Sequence, residues 1–309
     1  MRDLKTELWL SFIAVFLIIS SNSYAENYAV PSRTDSNVIV ASYNIKWLGH
    51  TAHELDKLAK VIKHFDVCGI LEIKKESEVA LLADALNVET GKKWGYIYGI
   101  RTHRPDSRDP SISNRYHEAY GGVWRRDRVQ LGNGVVSNVW DSSEAFRNDP
   151  YVASFKRGNF DFMLVLIHTR WSDDVDGSRS LEVVNIADFI QWQRGHLQER
   201  DIILAGDFNY SGGSVLMNPL ETVADLEQID HNAKSTFKSD FTGYSSPYDH
   251  IYISRSDTPE FIEGQCALLD ATVLIYGDRS VTNMEKSKSE LSDHLPVWAA
   301  FDVTMADDD

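Results

Sequence analysis

Cysteine is almost absent: Cys68 and Cys266 are the only two in 309 residues. That excludes a disulfide-stapled scaffold and a zinc site built from clustered thiolates. Positive charge is also short, with 31 Lys and Arg against 46 Asp and Glu and a formal net charge of −15. An acidic chain is repelled at long range by nucleic acid and anionic lipid. The balance argues against a tight DNA binder, but not against an enzyme that meets phosphates through bound cations. Long apolar runs are scarce too. The one at the start, Leu8 to Ile19, falls short of the roughly 20 residues that span a bilayer, and no other segment approaches that length. Fixed-period repeats and low-complexity linkers are missing as well.

What is present fits a folded chain with a large core, at 43% hydrophobic and 11% aromatic residues. Arg2 and Lys5 precede the first apolar run, and Ser23-Tyr24-Ala25 follows it. This order predicts a signal peptide over 1–25 and a mature domain over 26–309, secreted or periplasmic. Asp3 and Glu7 are unusual there and leave an uncleaved anchor as the alternative. Cys68 lies in an apolar run, so export leaves open both a disulfide and a buried free thiol.

The stretch from Asp201 to Asn209 organises the rest. Ile202 to Ala205 read as a buried strand that breaks at Gly206. Asp207 and Asn209 then stand just past its end, with alternation sending both side chains one way. A carboxylate beside an amide suits a hard cation or a phosphate oxygen, although an Asx turn alone gives the same pattern.

Other apolar runs repeat the theme. Val38 to Ile45 carries Asn44 near its end, and Asp66 to Ile73 has Glu72 as its only interior charge. Between them, Thr51 and Glu54 form a capping box ahead of a helix with Leu55, Leu58, Ile62 and Phe65 on one face. A second helix is expected from about Ser77 to Leu86, and a strand from Tyr116 to Trp124. Phe160 to Thr169 is a strand ending at His168. Ser180 to Glu199 is helical, with Val183, Ile186 and Ile190 on one face. Asp249 opens a strand, and Asp293-His294 lead into the last one. Helices alternate with apolar strands, which predicts an α/β layered fold in one domain.

Residues 101–128 hold seven arginines and form the one locally basic region. Composition alone makes it a solvated loop. Asp173, Asp174 and Asp176 read as a solvated acidic loop, and Asp307 to Asp309 as a solvated tail.

Any one polar strand end can be a capped turn. Asn44, Glu72, His168, Asp207, Asn209, Asp249, Asp293 and His294 together are harder to explain that way, because convergent strand ends make a pocket. Oxygen donors dominate, which favours Mg²⁺, Mn²⁺ or Ca²⁺ over zinc. No nucleophilic Ser or Cys motif accompanies them, so metal-assisted hydrolysis is the natural class. Neither the Glu72 nor the Asp293 motif offers a positive side chain to neutralise its acid, which predicts a divalent cation between them.

From about Val38 to Asp302 the chain resembles the endonuclease/exonuclease/phosphatase superfamily, and within it the deoxyribonuclease I-like enzymes. The carriers are Ala41 to Lys46, Asp66 to Ile73, Asn114 to Tyr120, Ile167-His168-Thr169, Gly206-Asp207-Phe208-Asn209, Tyr248-Asp249 and Ser292 to Val297. The resemblance implies a four-layered α/β sandwich, two mixed β-sheets face to face with helices outside. It implies hydrolysis of a phosphodiester, with Mg²⁺ as the expected cofactor and Mn²⁺ or Ca²⁺ as alternatives. Asn44, Glu72 and Asp293 match metal positions, while Asp207 and Asn209 match residues that orient water, metal and phosphate. His168 with Glu118 and His294 with Asp249 match two catalytic histidine–carboxylate pairs. Tyr116 and Lys74 match groove contacts to duplex DNA.

Three departures stand out: Leu71 replaces the usual Gln before the metal-binding Glu, and Asn148-Asp149-Pro150 replaces Arg-Glu-Pro, with Arg147 one residue away. The short disulfide loop of the deoxyribonucleases is missing, and with it the basis for their structural calcium site.

The expected function is an exported, metal-dependent nuclease with little sequence specificity, acting as a monomer on DNA, or on RNA, without stable membrane association. Rivals are a sphingomyelinase-like phosphodiesterase, for which Trp171 is the nearest membrane-contact candidate, and a non-catalytic binding protein.

Overall fold

The computed structural model describes residues 29–100, 118–139, 145–171, 178–196 and 199–306. The expected signal segment, Tyr116, four of the seven clustered arginines, the 173–176 acids and the acidic tail lie outside them. Among the described residues, no helix is long and apolar enough to cross a membrane.

Two six-stranded mixed sheets make the frame. In the first, strands β1 (Asn37–Leu48), β2 (Val67–Ile73), β3 (Trp94–Tyr98), β4 (Ala119–Arg125), β11 (Phe261–Leu268) and β12 (Val297–Asp302) run in the order β11-β12-β1-β2-β4-β3. The second joins β5 (Gln130–Asn138), β6 (Tyr151–Arg157), β7 (Phe160–His168), β8 (Ile202–Asp207), β9 (Glu227–Gln228) and β10 (Asp249–Ile253) in the order β5-β6-β7-β8-β10-β9. Each sheet is built on one parallel pair, β1 with β2 and β7 with β8, flanked by antiparallel partners. Helix α1 (Leu55–Ile62) makes the first crossover and the longer α3 (Ser178–His196) the second, as parallel neighbours require.

Alternation sorts the apolar residues into layers. On β7, Phe162, Leu164 and Leu166 join the core between the sheets, whereas Met163, Val165 and Ile167 face outward. Val183, Ile186 and Ile190 of α3 cover that outer face. On the other side, Leu58 and Ile62 of α1 and Leu82 and Leu86 of α2 (Glu76–Thr90) join the large core. The order helix, sheet, sheet, helix is the four-layered α/β sandwich. The sheets approach so closely at Gly69 that a Cβ there would lie 2.5 Å from Leu166 Cδ2.

Several boundaries differ from expectation. Thr51 caps nothing: α1 starts after Glu54, which has no side-chain cap, and Thr51 instead bridges to Leu48. Strands β3, β5, β6, β9 and β11 carry no clear apolar run in the sequence. Short helices α4 (Asn218–Thr222) and α5 (Ala271–Tyr276) and the helix α6 (Val281–Glu290) complete the chain. Cys68 and Cys266 are both free and buried. Asp66 is locked by Arg33 and Arg128, each 2.7 Å away, at the opposite end of β2 from Glu72. The basic stretch therefore contributes Arg128 to the scaffold.

Candidate active site

The topology carries the polar strand ends to one edge of the sandwich. Parallel strands β1, β2, β7 and β8 finish there, and the antiparallel strands β4, β10 and β12 start there. Pairing places His168 opposite Asp207, and Asp207 opposite Asp249, in one row across the second sheet.

Two backbone irregularities aim the side chains. Glu72 sits in a bulge of β2 with φ 60°, and Asn209 has φ 51°. Left-handed backbone is unfavourable for a non-glycine residue, by about 1–3 kcal/mol, and such positions gather at functional sites. The Asn209 conformation overrides simple alternation: its N–H donates to Asp207 Oδ1 at 2.9 Å, and its amide donates to the Thr169 carbonyl at 2.8 Å. Gly206, just before Asp207, has φ 151°, and a Cβ there would lie 1.9 Å from the Ile167 carbonyl. Only glycine fits that crossing.

The result is an open cleft of about 660 Å³ lined by, among others, Glu72, Glu118, His168, Asp207, Asn209, Asp293 and His294. His168 Nδ1 lies 2.6 Å from Glu118 Oε1, and His294 Nδ1 lies 2.8 Å from Asp249 Oδ2. Both imidazoles turn Nε2 toward Asp207 Oδ2, at 3.6 Å each. Ser235 Oγ donates to Asp249 at 2.5 Å and Asn148 Nδ2 to Glu118 at 2.9 Å. Each histidine is therefore fixed through one nitrogen with the other free to face the cleft.

Burial is the largest single influence on His168 and would lower it, but the charge and hydrogen bond of Glu118, with Asp207 and Glu72, together outweigh it, and the imidazole is pushed up to about 10. His294 is raised well above its ordinary value against the same burial penalty, by Asp249 first and Asp207 next. Burial would raise Glu118, yet His168, Lys74 and Arg147 hold it low. Burial raises Asp207, partly offset by the two histidines.

Asn44 and Glu72 meet as expected. Asn44 Nδ2 donates to Glu72 Oε1 at 3.0 Å and to Asp207 Oδ2 at 3.1 Å. Its Oδ1 is buried with no hydrogen-bond partner. Burial, then the charge of Glu118, raises Glu72. An orphaned amide oxygen beside a carboxylate that has no lysine or arginine partner among the described residues is an oxygen-donor set that suits a hard divalent ion. The carboxylate and imidazole atoms of Glu72, Glu118 and His168 also lie within 4.8 Å of one another, as do those of Asp207, Asp249 and His294.

Asp293 corrects one expectation. Lys46, from the Asn44 motif, reaches Asp293 Oδ2 at 2.7 Å, and Lys288 lies 3.7 Å from the same atom. Burial would raise this carboxyl, but His294, Lys46 and Lys288 hold it low. The two acids are thus not equivalent, since Asp293 lies beside two lysines and, among the described residues, no lysine or arginine pairs with Glu72.

Lys74 is 8% exposed, with Nζ 3.7 Å from Glu118 Oε2 and over the Trp47 ring. The buried Glu118 carboxylate draws it inward. Leu71, in the position the resemblance gives to Gln, is fully buried in the core. Arg147 lines the cleft beside Asn148, and Trp171 lines its mouth at 72% exposed. Lys46, Asn148 and Glu182 were missed from sequence. Glu182 did leave a signal, a carboxylate on the buried face of a helix beside Val183 and Ile186.

Against known proteins, the chain is 25% identical over 279 residues to a deoxyribonuclease of Thioalkalivibrio sp. (strain K90mix), covering 88% of this chain and 73% of that one. An endonuclease/exonuclease/phosphatase family protein of Bacteroides thetaiotaomicron shares its fold at TM-score 0.57 and 17% identity, over 87% of this chain and 97% of the other. A mannosyl-6-phosphatase, Bt3783, from the same organism superposes with TM-score 0.54 at 16% identity, over 85% and 98%. The pattern of the Endonuclease/Exonuclease/phosphatase family matches residues 41–294, from the strand of Asn44 to His294. With the sandwich in place and both histidine–carboxylate pairs converging on Asp207, the chain belongs to the Endonuclease/Exonuclease/phosphatase family.

Proposed function

We propose that the chain is an exported, divalent-metal-dependent nuclease that hydrolyses DNA phosphodiester bonds with little sequence specificity. One observation carries the chemistry: two carboxylate-backed imidazoles face the same oxygen of one buried carboxylate, at 3.6 Å each. One imidazole accepts a proton from the attacking water while the other gives a proton to the leaving oxygen. Asp207 lies within reach of both and Asn209 lines the same cleft, where a phosphate and a water would be oriented. Charge on the phosphorane is met by imidazolium and by Arg147 at the cleft wall. Asn44 and Glu72 would hold the cation, with Asp293 on the same cleft and Mg²⁺ the expected ion. When bound, the cation supplies positive charge against the phosphorane and offsets the carboxylate field around His168.

DNA as the substrate is supported by the relative named as a deoxyribonuclease. Fold alone does not choose among esters, and the shared fold of a mannosyl-6-phosphatase illustrates this. An overall charge of −15 makes DNA association depend on the cation and on salt. Export rests on the signal-like order of the first 25 residues. The test is purified mature protein on supercoiled plasmid, RNA and sphingomyelin, each with Mg²⁺, Mn²⁺, Ca²⁺ or EDTA. The expected result is cation-dependent nicking of plasmid that EDTA abolishes. Hydrolysis of sphingomyelin without nicking would overturn the reading.

A further inference from the structure

Glu182 is a carboxylate with 1% exposure on the inner face of α3. Val183, Ile186 and Ile190 already dock that helix through apolar contacts. A buried carboxylate is unfavourable unless hydrogen bonds compensate its lost hydration. Here its two oxygens go to two separate segments of backbone. Oε1 accepts the Arg147 N–H at 2.6 Å and Oε2 accepts the Arg170 N–H at 2.8 Å, with Arg170 Nε 3.5 Å from Oε1.

Both segments form walls of the cleft. The first continues into Asn148, whose amide donates to the carboxylate that holds His168. The second includes His168 itself and Thr169, whose carbonyl receives the Asn209 amide. One carboxylate thus ties the wall that supports Glu118 to the wall that carries His168.

We propose that Glu182 is a positioning residue, a clamp that sets the spacing of the 147–148 and 168–171 segments and so holds Glu118 against His168. The proposal rests on the phosphodiesterase reading above. It assigns Glu182 no contact with substrate; the effect passes through Asn148 and Glu118.

Glu182→Gln tests it, because an amide offers one acceptor oxygen and turns an NH₂ toward the other backbone donor. The control is Asp66→Asn, which weakens a buried carboxylate brace at the far end of β2. On a small nitrophenyl phosphodiester, Glu182→Gln should lower kcat about tenfold or more, with KM nearly unchanged. Asp66→Asn should keep wild-type kcat at a comparable loss of Tm. Amide hydrogen exchange should show both segments, 145–148 and 169–171, losing protection together in Glu182→Gln. Glu182→Asp keeps the charge and both acceptors but withdraws them by one methylene. It should show a smaller kcat loss, and it serves as the variant should the Gln protein not fold. Wild-type kcat in both Glu182 variants, or an equal kcat loss in Asp66→Asn, would overturn the proposal. If wild type hydrolyses no phosphodiester, the functional reading fails, and hydrogen exchange decides the clamp alone: protection lost from both segments supports it, and protection lost from neither refutes it.

Discussion

Glu118 Oε1 lies 2.6 Å from Nδ1 of His168, a contact between residues 50 positions apart that fixes which imidazole nitrogen faces the cleft. Glu118 is buried and His168 partly so, and each partner shifts the other: Glu118 holds His168 high, and His168 holds Glu118 low. A mutation at Glu118 therefore acts on both orientation and proton affinity. Glu118→Gln should lower kcat by about 10- to 100-fold with little change in KM. The sign on pH follows from charge. Removing a negative neighbour lowers the pKa of His168, so the His168 limb of the kcat profile should move to lower pH. A limb that moves upward, or stays in place at full kcat, contradicts the pairing.

Lys74 should behave as an internal counter-charge to Glu118, 3.7 Å from its Oε2. Lys74→Met is expected to lower kcat severalfold and to leave the salt dependence of duplex binding unchanged. A salt slope reduced by about 1 would mean that the ammonium contacts a phosphate after all.

The strand ends that bear the chemistry were legible because each is a polar residue closing an apolar run. Asn44, Glu72, His168 and Asp207 all stand out this way, and parallel pairing then gathers them at one edge. Edge strands β5 and β11 were not legible. Their residues alternate irregularly, with Gly132 in one and Gly264 in the other, and β11 is only partly buried, without a clean period. Long-range partners were the other blind spot. Lys46 and Asp293 are 247 positions apart, and no local pattern announces that pair. Asn209 shows the limit of periodicity, since a single left-handed residue cancels an alternation rule.

A second buried pair makes a stability prediction independent of catalysis. His250 Nδ1 lies 2.9 Å from Asp230 Oδ2, and its Nε2 lies 2.9 Å from the Tyr210 carbonyl. Two acceptors favour the imidazolium, in which both ring nitrogens donate. Burial opposes both charges, yet mutual attraction raises His250 and lowers Asp230. The raised histidine contributes fully below its ordinary value of 6.5 and loses that contribution as pH climbs through its folded pKa. The lowered aspartate contributes fully above its ordinary 3.8 and loses it as pH falls through its folded pKa. Asp230→Asn should therefore destabilise most between those two values, by about 3–5 kcal/mol, and the gap to wild type should narrow as pH rises above that window. Thermal melts of both proteins across pH check this; a gap that widens with alkaline pH contradicts it.

The central claim is that His168 and His294 act together on one phosphodiester across Asp207. The most direct measurement is kcat and KM of His168→Ala, His294→Ala and the double variant on a small nitrophenyl phosphodiester, at a fixed saturating divalent cation. Each single variant should lose about two decades or more of kcat with KM nearly constant, and the double should lose much less than the product of the two. Wild-type kcat in either single variant would contradict the account.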